Sequence, residues 1–204
     1  MLGSSGNHGQ RRKPGEALSV NAAIDAIKVR HGFDSLALAG QSGGSTIAAS
    51  LLTLGRRDIA CAVLGSGNLA VVDLFMERQH VYGTKFSRAA AEGTFYDPAR
   101  NVSRIVPDAV RRVLVIGDTE DKRTPFPQQQ RFAELLRKAG HHAHVIPITG
   151  TGPENHGAAH AALPAAALCL QAVSDEGIGQ LLMPKPRVPA ATTSAALPGD
   201  GALR

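Results

Sequence analysis

Tryptophan is missing from this chain, and aromatic residues make up only 4% of its 204 positions. A core built from such a sequence must rest on alanine and branched aliphatic side chains rather than on packed rings. Cysteine is scarce too, with Cys61 and Cys169 standing far apart inside apolar runs. That spacing offers no metal site and reads as two buried free thiols rather than a disulfide. No apolar stretch reaches the roughly 20 residues of a membrane-spanning helix, and the first residues lack the apolar centre of a signal peptide. The expectation is a soluble, cytoplasmic chain with no membrane partner, unless its natural start lies upstream.

Acidic residues are outnumbered, leaving a net charge of +5. Much of the excess lies in the pairs Arg11-Arg12, Arg56-Arg57 and Arg111-Arg112. These sit at turns or just before strands, without interleaved aromatics or a nucleic-acid motif, so they read as solvated surface charge. Nucleic acid is not an expected partner.

What is present is organised around residues 36–55. Leu36 to Leu38 is a short apolar run of the kind that forms a buried parallel strand. It breaks into Gly40-Gln41-Ser42-Gly43-Gly44, and Thr46 to Leu52 then reads as a helix closed by Gly55. Strand, G-x-S-x-G and helix is the arrangement of a nucleophile elbow, which lifts a serine hydroxyl clear of a sheet. A side chain at either flanking glycine, Gly40 or Gly44, is expected to collide with backbone. The helix N-terminus would aim free N–H groups, Gly43 first, at a developing oxyanion. In a chain with 22 glycines the pattern can also arise as a plain strand-to-helix turn. A phosphate-cradling loop is a further alternative, although no Walker lysine and no G-x-G-x-x-G accompany it.

The rest of the chain alternates strand and helix. Glu16–Arg30 reads as an amphipathic helix with Leu18, Ala22, Ala23 and Ile27 inward, after a loop over residues 1–15. Further strands are expected at 58–63, 112–116 and 144–148. Helices are expected at 127–139 and at 157–173, the latter kinked at Pro164, with one or two short helices between 69 and 108. Such alternation implies an α/β fold, a mostly parallel sheet with helices on both faces. Active residues then gather at the carboxyl ends of strands. Ser42, the acids Asp118, Glu120 and Asp121, and His156 would all open on that edge. His156 is preferred to His160 as the base, because it follows the strand end directly. Position alone leaves the three acids equivalent.

The run VLVIGDTEDKRTPF resembles the α/β-hydrolase signature in which a strand leads into G-x-x-D-x-x-x-P and the last acid serves a catalytic triad. On this chain that pattern falls on Gly117, Asp121 and Pro125. Tyr96-Asp97-Pro98, with Val102, Arg104 and Ile105, is similar to the segment before this strand in prolyl oligopeptidase-type serine peptidases. The opening GSSG resembles the end of the R-G-x-G-x-S loop of proline iminopeptidases. The resemblance covers about residues 3–175 and extends to dienelactone hydrolase-like enzymes. It implies a serine hydrolase, peptidase or esterase, acting on a small ester or peptide substrate. Ser42, Asp121 and His156 would form its triad, Gly43 would donate to the oxyanion, and no cofactor or metal would be needed. It also implies a partial α/β-hydrolase domain over residues 1–183 that lacks the family's first strands, with a Pro/Ala-rich disordered tail at 184–204. The elbow strand would then be an exposed edge open to self-association. A catalytically impaired remnant that associates through this edge is the alternative reading.

Overall fold

The computed structural model describes residues 11–183 apart from Tyr82. The expected tail, the GSSG segment and most of the expected opening loop lie outside those residues.

Among the described residues, four strands form one parallel sheet in the order β1-β2-β3-β4: Leu36–Gln41, Ile59–Gly65, Arg112–Gly117 and His142–Pro147. Each strand reads as an apolar run because both sheet faces are covered. Period-two alternation then divides the core. One face turns Ala62, Leu64, Val113 and Val115 toward helices α2 (Gly43–Thr53) and α5 (Phe126–Lys138), where Leu51, Leu52, Phe132 and Leu136 pack. The opposite face turns Val63, Leu114, Ile116 and Ile146 toward α6 (Ala159–Leu170) and α7 (Asp175–Leu182). Alanines carry that second interface, with Ala161, Ala162, Ala165 and Ala166 buried, so α6 lies close on the sheet. A side chain on Gly65 would press on Ala158 and Ala162 at 3.1 and 3.3 Å. Pro164 lies on the exposed side of α6, and the helix runs on through it.

Between β2 and β3 stand two short helices, α3 (Val71–Arg78) and α4 (Arg88–Thr94), and a 3-10 segment, Pro98–Arg104. Asp97 caps that segment by accepting from Ala99 N and also receives Val72 N, at 3.0 and 2.8 Å. Burial raises its carboxyl above the usual range, against the pull of these backbone donors. Phe75, Phe86 and Phe95 gather over this region.

Four expectations need correction. The cysteines are buried, but as a disulfide joining Cys61 of β2 to Cys169 at the end of α6. A sequence separation of 108 residues hides a pairing that the parallel crossover creates, because α6 folds back over β2. Helix α1 (Pro14–His31) ends where Gly32 adopts φ 68°, but its expected inward face is wrong. Leu18, Ala22, Ala23 and Ile27 are exposed, as are Val20 and Val29, while Ala17 is buried. Ile24 packs against the core beside Ala17, and polar contacts hold the rest: Lys28 pairs with Asp58, and Arg56 reaches Asn21 and Asp25. The arginine pairs are not simply solvated either. Arg56 and Arg111 are buried, and Arg111 donates to the carbonyls of Ile59 and Val106 at 2.9 and 2.8 Å. Finally, β4 begins two residues earlier than expected, because His142 pairs in register with Arg112 and bonds Asp175 through Nε2 at 2.8 Å.

Strand β1 lies at one edge of the sheet, half-buried, with Ala39 exposed.

Candidate active site

The elbow is built from its glycines outward. A Cβ on Gly40 would lie 2.4 Å from the Gly44 carbonyl carbon and oxygen, so no side chain fits there. Gly44 is different, with nothing within 4 Å of its Cβ position. The expectation that both glycines are sterically required is therefore corrected to Gly40 alone. Ser42 itself holds φ 56° and ψ −118°, a strained conformation that its surroundings must enforce. They do so through hydrogen bonds. Ser42 N donates to Gly65 O at 2.8 Å, and the buried Ser45 hydroxyl lies 2.8 Å from Gly40 O and 2.7 Å from Gly65 O. The loop after β2 is pinned to the same turn, with Thr46 Oγ1 donating to Asn68 O at 2.8 Å. A side chain on Gly67 would strike Ser45 Cβ at 2.6 Å. Gly43 opens α2, so its N–H has no acceptor within the helix and lies at the positive end of the helix dipole.

The three acids after β3 separate clearly in space. Asp118 is buried and ties loops together, accepting from Glu120 N and Gly150 N, both at 2.6 Å. Glu120 is exposed and meets Asn155. Asp121 is buried and receives Arg123 N and Thr124 N at 2.8 and 2.9 Å. Its carboxylate also meets His156 Nδ1, at 3.0 Å through Oδ2 and 3.2 Å through Oδ1. On the other side of the ring, His156 Nε2 lies 2.8 Å from Ser42 Oγ. Ser42, His156 and Asp121 thus form one continuous hydrogen-bonded chain between the ends of β1, β3 and β4. His160 lies on the exposed side of α6, away from this chain.

The segment presenting His156 is tightly folded. Glu154 and Asn155 take positive φ of 61° and 54° in succession. Thr151 and Gly157 exchange backbone hydrogen bonds at 2.9 and 2.7 Å, closing the loop into a ring. A Cβ on Gly150 would lie 2.1 Å from Asn155 O, so this ring closes only over glycine.

Two positioning residues escape sequence reasoning. Gln41, the variable residue before the serine, donates from Nε2 to the His156 carbonyl at 3.0 Å. Thr124 places its hydroxyl 2.8 Å from Asp121 Oδ2 and 2.9 Å from Ser66 O, and its carbonyl accepts from Gln129 Nε2 at 2.7 Å. The threonine before Pro125 in the D-x-x-x-P pattern is the signal that could have found the second. Nothing in the sequence marks the first.

A cavity of about 320 Å³ opens in front of this chain, lined by Ser42, Gly43, Thr46, Asn68, Thr124 and His156 among others. Among the described residues no group of three or more His, Cys, Asp or Glu side chains is placed to hold a metal ion, and no helix is long and apolar enough to cross a membrane.

Comparison with known proteins bears on this arrangement. The family model described as "Prolyl oligopeptidase family" matches residues 21–164. No curated protein matches the chain by sequence. Among solved structures, an acylaminoacyl peptidase from Pyrococcus horikoshii is similar at a TM-score of 0.56 and 13% identity, over 76% of this chain and 27% of that one. A puromycin-hydrolyzing peptidase from Mycobacterium tuberculosis gives 0.56 and 19%, over 80% of this chain and 26% of that one. An esterase from Pyrococcus furiosus gives 0.50 and 15%, over 67% and 54%. At these identities the likeness concerns the fold, which is that of the α/β-hydrolases. The chain spans about a quarter of the length of the two peptidases.

Proposed function

The chain belongs to the prolyl oligopeptidase family, and from that membership we propose that it cleaves ester or peptide bonds through an acyl-enzyme on Ser42. The observation that carries this reading is the unbroken chain from Ser42 Oγ through His156 to Asp121, with distances of 2.8 and 3.0 Å. A serine hydroxyl attacks a carbonyl efficiently only when a base removes its proton in the same step. His156 Nε2 is within reach to do so, and Asp121 on Nδ1 fixes the ring and balances the imidazolium. Attack forms the bond from Ser42 Oγ to the carbonyl carbon and places negative charge on the carbonyl oxygen. The Gly43 N–H and the N-terminus of α2 stabilise that charge. Collapse expels the alcohol or amine, which takes its proton from His156. Water then repeats the sequence and releases the acid. No step requires a cofactor.

The test is intact mass after treatment with a fluorophosphonate, beside Ser42→Ala, with circular dichroism reporting that both are folded. One adduct on the parent protein and none on the variant is expected. A folded parent protein that takes no adduct overturns the reading.

A second reading, association through the sheet edge, is favoured by β1. This strand lies at the sheet edge among the described residues and carries no charged side chain, and Leu18, Val20, Ile27 and Val29 of α1 are exposed. Unprotected edges of this kind pair with other strands. Light scattering across a dilution series is expected to reveal a self-associated species that Ala39→Lys disperses. A monomer at every concentration sinks it.

A further inference from the structure

The cavity before Ser42 has an unusual lining for a hydrolase of apolar esters. Arg11, Arg12, Arg78 and Arg123 face it, against two carboxylates, Glu16 and Glu154, and among the described residues its one large aliphatic side chain is Leu74. A fatty or aromatic acyl group entering here would bury its surface against charge and leave those charges poorly solvated, which is unfavourable. A polar, negatively charged substrate would not.

The four cations are not equivalent. Arg123 is paired with Glu154. Glu16 accepts from the Arg12 backbone N–H, which holds its carboxylate beside the segment carrying Arg11 and Arg12. Arg78, at the end of α3, is held by two main-chain carbonyls, donating from Nη1 to Arg123 O at 2.8 Å and from Nη2 to Lys122 O at 2.7 Å. Carbonyl oxygens orient a guanidinium but leave its charge standing, and among the described residues no carboxylate lies within ion-pair distance of Arg78. Its remaining N–H donors are free of the two carbonyls in a fork already fixed in direction, so little side-chain entropy is left to lose on binding.

An independent observation sits beside it. Asn68 lines the same cavity and is 5% exposed, yet among the described residues neither its amide nitrogen nor its amide oxygen has a hydrogen-bond partner. Thr46 anchors its backbone, so the residue is held in place while its amide is left unsatisfied. Leaving such a group unpaired typically costs about 1–3 kcal/mol. Native structures tolerate this where the group has a ligand to meet.

We propose that this site takes substrates bearing a carboxylate near the scissile bond, with Arg78 as the fixed cation that holds the carboxylate and Asn68 as the amide that pairs with the polar group next to it. The identity of the scissile bond rests on the hydrolase reading above. The carboxylate preference does not, and it can be measured without turnover.

The experiment uses the Ser42→Ala protein and titration calorimetry on matched ligands. Succinyl-Ala-Ala p-nitroanilide against its acetyl counterpart places the carboxylate on the acyl side. Acetyl-Ala-Ala against its C-terminal amide places it on the leaving-group side. In one of the two pairs the charged member is expected to bind about tenfold tighter, in keeping with a charge-assisted arginine contact. That preference should shrink between roughly 0.05 and 0.5 M salt. Arg78→Gln, which keeps donors for the two carbonyls but removes the charge, should reduce it to below about threefold, while Arg78→Lys retains the larger part. Asn68→Leu should weaken both members of the pair. Equal affinities, a preference for the neutral member, or no binding by any ligand overturns the proposal. A preference undiminished in Arg78→Gln overturns the assignment to Arg78. A failed fluorophosphonate reaction beside a clear carboxylate preference would sink the hydrolase reading and leave this one standing.

Discussion

Gln41 donates its side-chain amide to the main-chain carbonyl of His156 across 3.0 Å, so the residue before the serine holds the backbone of the histidine opposite it. The two lie 115 residues apart in the chain. The bond ties the end of β1 to the loop after β4. Gln41→Ala is expected to lower kcat by about tenfold with KM little changed, since proton transfer depends on the position of the ring. Gln41→Glu, which cannot donate when ionised, should behave like the alanine variant. An unaltered kcat in both would show that His156 is held by its loop alone.

The two glycines of the elbow should respond in opposite ways. Gly40→Ala would drive a methyl into the Gly44 carbonyl at 2.4 Å and is expected to abolish fluorophosphonate labelling or to prevent folding. Gly44→Ala meets open space inside the first turn of α2 and should stabilise the protein by about 0.5–1 kcal/mol, labelling intact. Chemical denaturation of the two variants measures this directly.

That contrast shows where the sequence was readable. A G-x-S-x-G pattern is two symmetrical letters, and nothing in it separates a glycine wedged against backbone from one facing solvent. Strand positions were legible, because a parallel sheet covered on both faces leaves apolar runs such as DIACAV and RVLVI. The helix end at Gly55 was legible too, since this glycine takes positive φ. The inward face of α1 was not. Its apolar and polar residues are spread almost evenly around the axis, and its docking combines Ala17 and Ile24 with the pairs Lys28–Asp58 and Asp25–Arg56, whose members are distant in sequence. Pairing of Cys61 with Cys169 needed the crossover of α6, which no local window contains. Gln41 was overlooked because its role depends on where a distant loop returns.

Thr124 has one hydroxyl proton within reach of both Asp121 Oδ2 and Ser66 O. Thr124→Val removes that donor while keeping the shape of the side chain. We expect kcat/KM to fall about tenfold, with Thr124→Ser recovering most of it, since one neutral hydrogen bond to a charged carboxylate contributes roughly 1.5–3 kcal/mol at most. Steady-state kinetics on one chromogenic ester suffices.

Asp58 connects α1 to the sheet and gives a pH signature. Burial alone would raise its carboxyl, but hydrogen bonds and charge from Arg56 and Lys28 outweigh this and hold it at about 2, below the usual 3.8. A depressed carboxyl stabilises the fold fully above pH 3.8 and ceases to do so as pH falls through about 2. Asp58→Asn should therefore lower the midpoint of thermal unfolding at pH 6, with the gap from the parent protein closing between pH 4 and 2. A gap of constant size across that range would count against the pairing.

Reduction of the Cys61–Cys169 bond should destabilise the folded chain by about 2–4 kcal/mol, the range typical of a bridge closing a long loop. Denaturation in the presence and absence of reductant, with Cys61→Ala/Cys169→Ala as the reference, tests it. Equal stability would mean the thiols are unbridged in solution.

The position of that bridge in the chain has a topological consequence. Cys61 lies on the same side of the exposed Lys85 as Ser42, and Cys169 lies on the same side as Asp121 and His156. A single proteolytic cut at Lys85, between α3 and α4, would divide Ser42 from His156 in covalent sequence while the bridge kept the halves as one molecule. A protein cut there would run as one band without reductant and two with it, and Ser42 would meet His156 and Asp121 from a separate polypeptide.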